Sequence, residues 1–231
     1  MVEEALVART FIAPEWAAGR ARHGRLLELE RERSRIAREL HSGAGQPLAG
    51  IKMNLAFLDE LGVDLPEPAM GALRRLRLLT DSALGQIRAI SHGLHTPDWQ
   101  AMTLEAALRR LVSECGVENV FQETSVRIAP LPEPPRQYVK IAAYRCAQEC
   151  LCNAIRHSGA TKVELALDHD SDGIRLRVSD NGCGMPRTRK TSGGLGLRAM
   201  LDYCADAGGT LSVTSGTHGT TMVFKFPHLE A

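Results

Sequence analysis

Glu149 and Asn153, in the run Glu149-Cys150-Leu151-Cys152-Asn153-Ala154-Ile155-Arg156-His157-Ser158, put an acid and an amide on one helix face. Asp180-Asn181-Gly182-Cys183-Gly184 and Gly193-Gly194-Leu195-Gly196-Leu197 follow downstream. An amide oxygen such as that of Asn153 can ligand a hard Mg²⁺ that also bridges phosphates. A buried carboxylate such as Asp180 can accept the hydrogen of an adenine amino group. Gly182 and Gly184 leave room for backbone to approach a base, and Gly194 and Gly196, ahead of a predicted helix, can aim N–H groups at phosphate oxygens. Each piece alone is common: a Glu-x-x-x-Asn pair is usually a solvated face, and Asp-x-Gly-x-Gly after a strand is usually a turn. Together, in this order, they read as a nucleotide pocket.

The elements that position these residues are mixed α/β from Thr103 onward. Leu104, Ala107, Leu108 and Leu111 make a short amphipathic helix, and Asn119 to Ile128 reads as an edge strand before the turn Pro130 to Pro135. The Asn153 helix follows. Val163, Leu165 and Leu167 alternate, as do Ile174, Leu176 and Val178, which predicts two half-buried strands joined through Asp170-Ser171-Asp172-Gly173. Leu211 to Val213 and Thr221 to Phe226 complete the predicted sheet.

Upstream the pattern is helical. Ile36, Leu40, Ala44, Leu48, Ile51, Leu55 and Leu58 recur at steps of three and four, on a helix beginning after Pro14 and ending at Gly62 and Pro66-Glu67-Pro68. A second stripe, Met70, Leu73, Leu76, Leu79, Ala83, Ile87, Ile90 and Leu94, predicts a return helix before Pro97. Neither helix can bury its stripe alone, so two hairpins should pair as a four-helix bundle in a homodimer. The charges from Arg31 to Arg38 read as a solvated face with i,i+4 pairing. Pro47, less than two turns past His41, should bend or loosen the helix.

The order of helix, two strands, glycine loop, helix and two strands resembles the ATP-binding domain shared by gyrase, the related heat-shock chaperone, mismatch-repair ATPases and two-component histidine kinases. The stretches around Asn153, Asp180 and Gly194 match its N, G1 and G2 boxes. Glu30 to Leu48 looks like the phosphoacceptor box of the nitrate-sensor-like histidine kinases, which carry His-Asp-x-x-x-Gln. His41 and Gln46 match that spacing, and Ser42 replaces the Asp.

The resemblance implies a sensor histidine kinase core whose second domain binds ATP and Mg²⁺. Its γ-phosphoryl group would pass to His41 and then to an Asp of a response regulator receiver domain. It implies Asn153 as the metal ligand, and Asp180, Gly182, Gly184, Gly194, Gly196, Leu197, His157 and Thr220 around the nucleotide. Glu149 matches an acid that related ATPases use on water, and Gln46 matches a residue taken to place water against a regulator's phospho-Asp. Ser42 lacks the acid that assists proton removal from the histidine. That leaves a second reading, a non-catalytic or phosphatase-biased dimeric scaffold that binds ATP. The expected domains are an N-terminal segment 1–17, a dimerisation and phosphotransfer hairpin 18–97, and an α/β sandwich 98–231.

With 28 basic and 27 acidic side chains, the chain has no global bias toward nucleic acid or anionic membrane. No apolar run is long enough to span a bilayer and the N-terminus lacks a signal-peptide pattern, so a cytoplasmic location is expected. Kinases of the resembling group commonly carry a membrane-bound or soluble sensor upstream. The six cysteines, Cys115, Cys146, Cys150, Cys152, Cys183 and Cys204, lack the paired spacing of zinc sites and read as reduced thiols.

Overall fold

Val163, Leu165 and Leu167 turn one face of their strand inward, and Leu176 and Val178 continue that face on the next. This alternation builds the sheet. The computed structural model describes residues 7–12, 19–61, 65–94, 96–185 and 195–227. It divides into two units, one of Leu29–Thr96 and one of Met1–Glu28 with Pro97–Ala231.

Among the described residues the second unit holds six strands: β1 (Val7–Ile12), β2 (Glu123–Ile128), β3 (Lys162–Asp170), β4 (Gly173–Asp180), β5 (Thr210–Gly216) and β6 (Gly219–Pro227). Their order is β1-β5-β6-β4-β3-β2, and every neighbouring pair is antiparallel except β2 with β3. Directly opposed residues share a face, so the register lays apolar rows across the sheet. Leu167, Leu176, Phe224 and Leu211 form one row, and Leu165, Val178, Met222 and Val213 form the next. Among the described residues this unit also carries α4 (Leu104–Glu114), α5 (Val117–Val120), α6 (Gln137–Asn153) and α7 (Leu195–Asp206). The helix α6 packs on β4 and β6, α7 on β5, and α4 on α6. Thr103 caps α4 by accepting the Ala106 N–H at 3.2 Å.

The other unit is a helical hairpin. It comprises the later part of α1 (Gly19–Leu40), a π-helical turn His41–Gly45, α2 (Gln46–Glu60) and α3 (Glu67–Leu94). Leu55, Thr80 and Leu84 are buried, and Lys52 Nζ meets Asp81 Oδ1 at 2.6 Å across the hairpin. Arg35 pairs with Glu39 and Glu32, as the reading of the charged run expects.

Three local features differ from expectation. The first part of the stretch expected as strand from Asn119 is helical: Gly116 takes φ 62° and starts the turn α5, so β2 begins only at Glu123. Val7–Ile12, expected in a separate N-terminal segment, is an edge strand paired with β5. The first turns of α1, expected in the hairpin, belong to the sheet unit, where Leu26 is buried and the His23 ring stacks on Tyr138 at 3.7 Å.

Candidate functional site

Asp180 is the last residue of β4 and stands opposite Val163 and Thr220, with Thr220 opposite Ser215. It therefore continues the inward face of Leu176 and Val178 and replaces an apolar row with a polar one. Its Oδ1 accepts the Gly182 N–H at 2.9 Å. Burial pushes its carboxyl above the usual carboxylate range, against the lowering effect of the Gly182 and Thr220 N–H groups.

Helix α6 brings the second set of groups. Asn153 Nδ2 donates to Glu149 Oε1 at 3.0 Å, and among the described residues Asn153 Oδ1 has no protein donor. Gly196, in the first turn of α7, sits against this pair: a Cβ there would lie 2.0 Å from Glu149 Oε1. Beyond Asn153 the helix widens into a π turn, Ala154–Ser158, and stops at Gly159 with φ 61°.

Two fasteners hold the Asp180 loop, one to that turn and one to the start of β3. The Ser158 carbonyl accepts the Cys183 N–H at 2.8 Å, and a Cβ at Gly182 would fall 2.3 Å from the same oxygen. Asn181 Oδ1 accepts the N–H groups of Thr161 and Lys162 at 2.9 and 2.8 Å. Ser215 Oγ accepts the Met185 N–H at 2.7 Å and lies 3.3 Å from Thr220 Oγ1, which ties the loop's far end to β5 and β6. Asn181, Ser158 and Ser215 escaped sequence reasoning as functional residues. Ser158 and Asn181 lay inside the quoted motifs, but nothing local shows that they face each other's elements. Leu197 is half-buried in α7, while Arg156 and His157 are exposed at the end of the π turn.

In the hairpin, His41 opens the other π turn and is exposed, with the Gln46 N–H donating to its carbonyl. Pro47 brings no N–H to the helical ladder, and the widened turn ends two residues before it, at Gly45. Ser42 Oγ donates to the Arg38 carbonyl at 2.8 Å, and Glu39 is engaged with Arg35. Gln46 is exposed, five residues beyond His41.

Residues 138–230 match the family described as histidine kinase-, DNA gyrase B-, and HSP90-like ATPase, and residues 32–99 match the histidine kinase family. Sensor histidine kinase MctS of Rhizobium johnstonii is 34% identical over 203 residues, which cover 86% of this chain and 43% of that protein. Nitrate/nitrite sensor protein NarX of Escherichia coli is 28% identical over 205 residues, covering 87% of this chain and 33% of the relative. The chain belongs to the sensor histidine kinases.

This kinase core therefore spans less than half the length of those two relatives. The histidine kinase domain of the Erythrobacter litoralis blue-light activated kinase shares the fold, with a TM-score of 0.51 at 21% identity over 78% of this chain and 95% of that one. The histidine kinase match takes in the hairpin from residue 32 onward, and the match to the ATPase family lies in the sheet unit. The scaffold reading is not favoured by a relative such as MctS, which is named as a sensor histidine kinase. Asp180 presents an acceptor on the inner face, and the glycine at 196 lets α7 begin against Glu149. Gly194, Arg187, Arg189 and Lys190 lie outside the described residues. No described helix is long and apolar enough to cross a membrane.

Proposed function

We propose that this core moves the γ-phosphoryl group of ATP onto His41 and then onto an Asp of a response regulator receiver domain. The observation that carries the reading is the inward Asp180, set at the polar end of the sheet beside the Ser158 and Asn181 fasteners. Bound as the Mg²⁺ complex, ATP supplies the phosphoryl group, and the metal offsets its charge. Asn153 Oδ1 would hold the metal, and the Nδ2 bond to Glu149 fixes which amide atom is offered. Asp180 accepts from the adenine amino group, with Thr220 beside it on β6.

His41 attacks through the lone pair of an imidazole ring nitrogen. Its exposure suits both a nucleotide domain and a receiver domain as successive partners. Ser42 donates its hydroxyl hydrogen to the backbone and so is not set to take a proton from His41. Gln46 is accessible to place water against the regulator's phospho-Asp.

The hairpin supports a homodimer. Met53, Phe57, Leu78 and Leu79 are 73%, 57%, 71% and 68% exposed, a stripe that a second hairpin would cover in a four-helix bundle.

The test is incubation with γ-labelled ATP, followed by peptide mapping under conditions that preserve acid-labile phosphohistidine. Label is expected on tryptic peptide 39–52 and absent from His41→Ala, which should still bind ATP. Label that survives His41→Ala would overturn the assignment.

A further inference from the structure

Helix α6 packs against both α7 and β6, and each of the three carries one buried sulfur residue at the contact: Cys150, Met200 and Met222. Cys150 Sγ stands 3.6 Å from Met200 Sδ and 3.4 Å from Met222 Sδ. Three sulfurs from three elements thus converge in the core. The neighbouring core thiols face backbone instead, Cys146 Sγ toward the Met200 carbonyl and Cys204 Sγ toward the Thr210 carbonyl, each at 3.9 Å. Thiols and thioethers also pack as plain hydrophobes. What sets this group apart is that two soft lone-pair donors meet one thiol sulfur at contact distance.

We propose that Cys150, Met200 and Met222 form a three-sulfur site for a soft monovalent cation, Cu(I), whose binding loosens the nucleotide pocket. Thiolate and thioether sulfur select Cu(I) over hard and borderline ions. On binding, the S–Cu bond forms as the Cys150 thiol gives its proton to solvent, and no electron is gained or lost. One thiolate and two neutral thioethers leave the complex uncharged. Zn²⁺ in the same place would keep a net positive charge out of water, which is costly. Among the described residues no three His, Cys, Asp or Glu side chains gather as a zinc site requires.

At a metal–sulfur length of about 2.3 Å, that of zinc thiolates, three ligands in one plane stand about 4.0 Å apart. The ion therefore pushes Met200 and Met222 from Cys150 by about half an ångström, a shift that unbranched thioethers allow. Its effect on the pocket rests on the ATP reading above, while the metal site stands without it. Met222 lies in the row next to that of Asp180 and Thr220. Met200 follows Gly196 by about one turn of α7, and Gly196 sits against Glu149, the residue before Cys150. Spreading the sulfurs moves these walls apart.

The test adds substoichiometric Cu(I) to the intact, reduced chain without oxygen, in competition with bicinchoninate, whose Cu(I) complex is coloured. X-ray absorption of the bound copper should show sulfur neighbours only. Met200→Leu and Met222→Leu keep the core volume and all six cysteines, so any change they cause belongs to the thioethers and not to surface thiols. Each should lower Cu(I) affinity about tenfold or more, the scale of losing even an outer partner of a metal, with the circular dichroism of the parent. Cys150→Ser should lose the tight site; if it fails to fold, the two methionine variants decide. Unchanged affinity in both methionine variants, nitrogen or oxygen neighbours around the copper, or Zn²⁺ displacing Cu(I) would overturn the site. ADP affinity by calorimetry should fall about fivefold or more in the Cu(I) form, the lower end of typical coupling between sites. A Cu(I)-loaded chain with unchanged ADP affinity overturns the coupling and leaves the site. Metal-free chain that fails to bind ADP while Cu(I) still binds refutes the ATP reading and the coupling but leaves the site standing.

Discussion

Asp180→Asn separates what this position does for the nucleotide from what it does for the fold. In the folded protein burial raises the Asp180 carboxyl above its ordinary range, even with the Gly182 and Thr220 N–H groups opposing. A carboxyl raised in this way favours folding fully below the ordinary carboxylate pKa, and that contribution is lost as pH rises through the folded value. At pH 7 the ionised group is therefore a burden. The amide keeps an oxygen for the Gly182 N–H, now 2.9 Å from Oδ1, and carries no charge to desolvate. The Tm at pH 7 should hold or rise, and the difference from the parent should shrink below the ordinary carboxylate range.

Nucleotide binding should move the other way. The amide offers NH₂ where the adenine amino group needs an acceptor, and a hydrogen bond to a charged group contributes about 1.5–3 kcal/mol. At about 1.4 kcal/mol per decade, ATP affinity should fall roughly ten- to a hundredfold. GTP should suffer less, because its carbonyl accepts from the new NH₂. Calorimetry with ATP, GTP and adenosine, beside thermal scans at several pH values, reads both effects. Unchanged affinity for ATP and adenosine, or a Tm at pH 7 well below the parent's, would refute the reasoning.

Ser42→Asp should restore a proton acceptor beside His41 and raise the single-turnover labelling rate at saturating ATP by about 10²-fold, the lower range of general-base assistance. An unchanged rate in a folded dimer would mean that proton removal does not limit the step. Gln46→Ala should leave His41 labelling intact and slow dephosphorylation of the regulator, followed by loss of phospho-Asp. Gly219→Ala places a Cβ 1.9 Å from the Asp180 carbonyl at φ 119°, so denaturant unfolding should show a loss of about 1–3 kcal/mol or more. Leu79→Glu puts a charge into the exposed hairpin stripe and should yield monomers by light scattering; a persistent dimer would place the interface elsewhere.

Local pattern determined much of this molecule. The period of two in β3 and β4, the period near 3.6 in the hairpin, and the glycine-rich turn from Asp180 to Gly184 were legible because each depends on near neighbours in the chain. The loosening at Pro47 was legible for the same reason, since a missing N–H is a property of the residue itself. The tertiary structure decided which strands meet. Val7–Ile12 pairs with β5 some two hundred residues away, and β2 lies parallel to β3; neither partner is written in alternation, which sets a strand's face but not its neighbour. The same distinction divides the site. Glu149 and Asn153 share a helix face by spacing alone. Ser158 against Gly182 and Asn181 against Thr161 and Lys162 depend on packing between elements, which brings distant backbone and side-chain groups together.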